Sequence, residues 1–122
     1  MAQVLRSSTE VTDQNSILAE WYGAEAEIWI FHLTFRRLAL LLRLPERSEV
    51  LCVVCPGCSH INGPFRWSAA KLAISNSVRR SGKSYQRVFD DNSQFELICD
   101  GGVVLYQCTG IVNSFEDFRF AD

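Results

Sequence analysis

A chain of 122 residues, 48% apolar and 21% charged with a net charge of −2, has the size and composition of one folded domain. Eight Phe, three Trp and three Tyr supply bulky core material and exclude a wholly disordered chain. A sequence pI near 5.7 argues against a general nucleic-acid binder.

The opening Met-Ala-Gln-Val-Leu-Arg runs into Ser, Thr, Glu and Asp with no apolar centre, so no signal peptide is expected. Residues 1–12 are polar and read as a loose segment, with one β-rich domain over residues 13–122. Asp13 to Glu20 reads as a short helix, capped by Asp13 and stopped before Gly23.

Residues 24–44 carry two signals. His32, Arg36, Ala39 and Arg43 are spaced four, three and four apart, a helical polar stripe. Ile28 to Phe35 is instead rich in β-branched and aromatic residues, which favours a hairpin of strands 26–34 and 38–44 turning near Arg36-Arg37. The run Ile28–Leu44 is the most apolar in the chain. With Arg36, Arg37 and Arg43 inside it, each costing about 2.5–3.5 kcal/mol at a bilayer centre, no membrane span is expected.

Val50 to Cys55 is a short apolar strand ended by Pro56-Gly57, and Asn62-Gly63-Pro64 marks a loop. Phe65–Lys71 is expected to form one helical turn, followed by strands at Leu72–Val78 and Gln86–Phe89. Gly101-Gly102 suits a two-residue turn, which predicts a hairpin over Gln94–Cys108. Its core face would hold Phe95, Leu97, Cys99, Val104, Tyr106 and Cys108. A short capped helix over Asn113–Phe120 would pack Phe115 and Phe118. The fold expected is mainly β: a small antiparallel barrel or sandwich of six to seven strands with one or two short helices.

The residues with the most chemistry lie in Cys52-Val-Val-Cys55-Pro-Gly-Cys58-Ser-His60. Zinc needs four converging ligands, and Cys55, Cys58 and His60 could supply three at a Pro-Gly turn. On a straight strand Cys52 points away from Cys55. Cys99 and Cys108 would lie roughly 13 Å apart along a hairpin ladder and could not both join one metal. Those three cysteines read as core residues. The Cys55/Cys58 spacing is also that of dithiol oxidoreductases, but no βαβ pattern surrounds it. A Cys58–His60 nucleophile pair lacks a third group to orient the imidazole.

Ser77 to Ser84 resembles a phosphate-binding loop only in its Gly82-Lys83-Ser84, since Ser77 stands where a glycine is required. Asp90-Asp91 reads as turn composition. Charge is unevenly laid out. Residues 1–35 carry one arginine against five acids, 36–87 ten basic residues against two acids, and 88–122 one arginine against seven acids. Internal pairing of the basic middle with acidic ends is the simplest account. Arg66, Trp67, Arg79, Arg80, Lys83, Tyr85 and Arg87 are the candidate partner-binding residues.

No coherent catalytic set emerges, so no enzyme and no cofactor is expected, with zinc the one metal to consider. In size and strand rhythm the chain resembles small all-β bacterial proteins, some of them immunity proteins that bind a toxin; that resemblance carries no functional residue. The expectation is a non-catalytic protein-interaction or self-associating module. With five cysteines and no leader it would sit in the cytoplasm with free thiols.

Overall fold

The two longest apolar strands lie side by side, buried on both faces. In the computed structural model, which describes residues 2–34, 36–115 and 118, ten strands form two antiparallel sheets with one α-helix. In chain order they are β1 (Gln3–Ser8), α1 (Val11–Ala19), β2 (Ala24–His32), β3 (Arg37–Arg43), β4 (Val50–Cys55), β5 (Cys58–Asn62), β6 (Arg66–Ala70), β7 (Ala73–Val78), β8 (Ser84–Asp90), β9 (Phe95–Cys99) and β10 (Val104–Thr109). One sheet runs β1-β10-β4-β3-β2-β6 and the other β5-β9-β8-β7. The mainly antiparallel β expectation holds, but there are more than six or seven strands and no closed barrel. No helix among the described residues is long and apolar enough to cross a membrane.

Strand periodicity sorts the central pair between two cores. Leu38, Leu40, Leu42, Leu51, Val53 and Cys55 point to the first, which lies between the sheets and is closed at one end by Ile17, Leu18 and Trp21 of the α1 region. Ala39, Leu41, Cys52 and Val54 point to the second, on the outer face of the large sheet. There Val112, Phe115 and Phe118 cover them, held by the Trp29 indole N–H donating to the Val112 carbonyl at 2.5 Å. A strand covered on both sides has no polar face, which is why these two read as unbroken apolar runs.

The 24–44 hairpin forms as expected, β2 pairing antiparallel with β3. Its imperfect alternation has a cause: a bulge between Ile28 and Ile30 shifts the register. Ala24, Ala26 and Ile28 face the first core, whereas Ile30 packs against the second and His32 meets the Phe115 ring edge-on at 5.0 Å.

Four expectations need correction. Residues 3–8 are not loose; they form β1, an edge strand on β10. The helix begins at Val11, and Glu10 rather than Asp13 caps it by accepting from the Thr12 and Asp13 amides. Phe65–Lys71 contains strand β6, in which Trp67 faces the core and pairs opposite Ala26. The 94–108 segment is not a hairpin. β9 pairs with β5 and β8, and β10 with β1 and β4, so the connection arches from one sheet to the other. The Asp100 and Gly101 amides donate to the Gly57 and Pro56 carbonyls at 3.0 and 3.1 Å instead of closing a two-residue turn. A Cβ on Gly101 would sit 2.8 Å from Pro56 Cγ, so close approach rather than turn geometry explains that glycine. Phe95, Leu97 and Cys99 do face the first core, but Val103 and Leu105 join them there, while Tyr106 and Cys108 face the second. The expected helix over Asn113–Phe120 lies partly outside the described residues; Phe115 and Phe118 are buried.

Asp90, read from sequence as a turn residue, is fully buried and joins the two sheets. One carboxylate oxygen accepts from the Trp67 indole and the Lys71 amide, both at 2.9 Å. The other accepts from the Asn92 and Ser93 amides. Replacing Asp90 by Ala orphans four donors, two of them on the element that anchors Trp67 against Phe95. Chemical denaturation is expected to show a loss of about 3–5 kcal/mol, with Asp90→Asn losing less.

Candidate functional site

The turn Pro56-Gly57 carries the chain from the large sheet to the small one, so Cys55 and Cys58 lie on different sheets. Cys99 is the direct cross-strand partner of Cys58. It also shares a hydrogen bond with Cys55. Three thiols therefore gather where the sheets meet, and Cys99 is the member that sequence spacing did not reveal. Donation to Cys99, reinforced by burial, holds Cys55 protonated and pushes its pKa well up. The same bond lowers the pKa of Cys99. Burial raises that of Cys58, whose sulfur lies 3.7 Å from the His60 carbonyl oxygen. None of the five cysteines is joined in a disulfide.

His60 does not join this cluster. A bulge between Cys58 and His60 changes the strand parity, so Cys58 faces the core while the exposed His60 side chain lies 3.9 Å from Glu96 on the outer face. Cys55, Cys58 and His60 therefore do not converge. Among the described residues no group of three or more His, Cys, Asp or Glu side chains is placed to hold a metal ion.

What Cys58 and His60 do share is the wall of a groove of about 370 Å³. Ile28 and Phe31 of β2 form one side, Cys58, His60 and Ile61 of β5 the other, and Phe65 overhangs it. The groove is an open seam: β6 pairs with β2 only from Ala24 to Glu27, and β5 is the outermost strand of its sheet. At its head the Cys58 amide donates to the Arg36 carbonyl at 2.7 Å, tying β5 to the β2–β3 turn. The β2 bulge is what aims Phe31 here instead of at the second core. Phe31 is 48% exposed, Ile61 40% and Phe65 78%, and Leu33 at the adjacent turn is 79% exposed. These apolar residues were not identified in the sequence. The available sign was an aromatic placed directly after Asn62-Gly63-Pro64, where a loop needs none.

The candidate partner-binding residues disperse. Trp67 is buried at 9% exposure and its indole is committed to Asp90, so it belongs to the core and to no surface. Arg66 lies 3.9 Å from Glu25. Arg79 pairs with Asp100 at 3.1 Å and lies over the Tyr85 ring. Arg87 bonds Glu96 and lies over Phe89. Arg80 and Lys83 are exposed in the β7–β8 turn. These pairs link the basic middle to acids nearer the two ends; as exposed pairs each contributes little stability. A larger cleft of about 530 Å³ opens between the β3–β4 loop and residues 110–112. Its charged groups are satisfied locally, Arg43 by Glu27 and Arg47 by Glu20 and Glu49. Trp29 and Ile111 are its exposed apolar residues, and the Trp29 indole is already engaged, its N–H by the Val112 carbonyl and its ring by Arg43.

Comparison with protein-family models, with curated proteins and with solved structures finds no match to this chain.

The thiol cluster has a measurable consequence. An unfolded chain ionises its thiols near pH 8.5. The fold keeps Cys55 and Cys58 protonated above that value. Between the unfolded and folded pKa values the native state thus holds more protons, and its stability falls as pH rises. The lowered Cys99 contributes with the opposite sign and offsets part of this. The denaturation midpoint is expected to drop between pH 8 and 10 under reducing conditions, and Cys55→Val to flatten the drop; a midpoint independent of pH in this range contradicts the assignment.

Proposed function

We propose that the chain is a small non-catalytic protein-interaction module that engages its partner through the seam between β2 and β5. The observation that carries this reading is the grouping of Phe31, Ile61 and Phe65, all well exposed, around one groove, with the exposed Leu33 at the adjacent turn. Single exposed apolar residues are ordinary on protein surfaces, whereas a contiguous patch rimmed by polar groups marks an interaction site. Aromatic side chains in a concave setting are the usual anchors of such interfaces. Arg36 stands at the head of the groove, where its carbonyl accepts from the Cys58 amide. Five cysteines without a disulfide suit a reducing compartment, and the cytoplasm is the proposed location on that ground. A toxin-binding role like that of immunity proteins is one form this function could take. Nothing in the placement of Cys55, Cys58 and His60 favours a zinc protein as a second reading.

Affinity purification from the source organism, with wild-type protein and the Phe31→Ser/Phe65→Ser double variant as parallel baits, tests the proposal. Both side chains are substantially exposed, so the double variant is expected to melt within a few degrees of wild type. A partner enriched by wild type and depleted at least tenfold with the double variant supports the seam as the interface. Equal recovery by both baits, or no partner with either, refutes it.

A further inference from the structure

We infer that the seam binds its partner by strand addition: an extended segment carrying apolar side chains and at least one carboxylate lies along β5. This rests on the interaction reading above and adds the binding mode and the chemistry of the ligand.

The first support is the backbone. Among the described residues, β5 is an edge strand with β9 as its one ladder partner, and β2 beyond Ile28 has a ladder partner on the β3 side alone. Two unpaired edges therefore flank one groove. Exposed edges are hazardous, and proteins usually block them. This chain blocks one: at β7, the edge at the other side of the small sheet, the Asn15 side chain donates to the Ile74 carbonyl at 2.8 Å and accepts from the Ile74 amide at 2.9 Å. At β5, among the described residues, the comparable backbone contact is made once, at Cys58, and the strand then runs on through Ser59 to Asn62 without Lys, Pro or a covering side-chain amide.

The second support is the shape of the groove. Its volume of about 370 Å³ is near the lower end for ligand clefts, which fits a few side chains of an extended segment and not a folded element. In strand addition, main-chain hydrogen bonds supply affinity and pockets for alternate side chains supply specificity. Cys58, Phe31 and Phe65 line such a pocket.

The third support is charge. The residues that line the groove include no Asp or Glu, and since His32 and Arg37 turn instead to Phe115 on the outer face, the arginine at the groove is Arg36. Glu25 and Glu96 lie alongside, but Arg66 and Arg87 with His60 already face them. Arg36 stands at the head of the seam with its carbonyl committed to Cys58 and its side chain exposed. A carboxylate on the entering segment is its natural counterion.

The test uses a phage-displayed library of random 12-residue peptides panned against the folded full chain. Expected winners alternate apolar residues and carry Asp or Glu. With a synthesised winner at saturation, hydrogen exchange at the amides of β5 and the C-terminal half of β2 should slow at least tenfold. Arg36→Glu should weaken that peptide at least tenfold with an unchanged melting curve. Winners that need Phe31 and Phe65 yet protect no β5 or β2 amide overturn strand addition while leaving the interaction module standing. Failure to enrich any peptide also overturns strand addition, and the paired-bait experiment then decides the module reading on its own. Winners indifferent to Phe31 and Phe65 overturn both. A concentration-dependent dimer abolished by Phe31→Ser/Phe65→Ser assigns the seam to a second copy of this chain and overturns the peptide assignment.

Discussion

Everything in this fold follows from the need to cover β3 and β4 twice. Ten of their thirteen residues are buried, and they alternate between two cores, so neither face of the pair tolerates water. Burying one Leu or Val side chain is worth roughly 1.5–3 kcal/mol, and these strands concentrate such residues more densely than any other part of the chain. One face is met by the small sheet and α1. The other is met by residues that follow β10. A 122-residue chain has little material for a third layer, and the Val112, Phe115 and Phe118 contacts supply a thin one, secured by Trp29 and by the Arg37 guanidinium 4.6 Å from the Phe115 ring centroid.

Given that requirement, bulges decide which side chains remain for function. A strand without them sends every second residue to the same face. The bulge at Ile28/Ile30 lets the first half of β2 feed the inter-sheet core and the second half feed the outer core, and it turns Phe31 toward the seam. The bulge at Cys58/His60 separates a core thiol from an exposed imidazole that simple alternation would have placed together. One extra residue in each strand thus converts an apparent metal motif into a thiol cluster behind a groove. A third irregularity, between Ala24 and Ala26 where β6 meets β2, coincides with Ala69 at a φ of 55°, and on the seam side of it the ladder runs only to Glu27 opposite Arg66.

This explains what was and was not legible in the sequence. Strand positions came through well, because period and β-branched content are local properties: β3, β4, β7 and β8 lie within a residue or two of where composition put them. Strand partners did not. Gly101-Gly102 is as compatible with an inter-sheet arch as with a hairpin, and only the Pro56-Gly57 carbonyls, more than forty residues away, decide between them. The two alternatives differ in the face presented by Tyr106 and Cys108, which is why half of that expected core face was inverted. Trp67 shows the same limit: its indole is held by Asp90, a residue whose own neighbours read as an ordinary turn. Cys99 joined the thiol cluster through a ladder that brings residue 58 opposite residue 99, a register no spacing rule contains.

The seam itself poses the remaining energetic question. Leaving Phe31 and Phe65 partly in water forgoes apolar burial that strand closure could have supplied. The chain has the means to close an edge, as Asn15 shows at β7, and it has apolar residues to spare. A sheet edge left open beside aromatic side chains is costly in two ways, through lost burial and through exposure to unwanted pairing. Arg36 at the head of the groove bears on the second cost, since like charges disfavour the approach of an identical edge. An apolar groove with unpaired backbone and an arginine at its head is the arrangement that the proposed extended, acidic partner would complete.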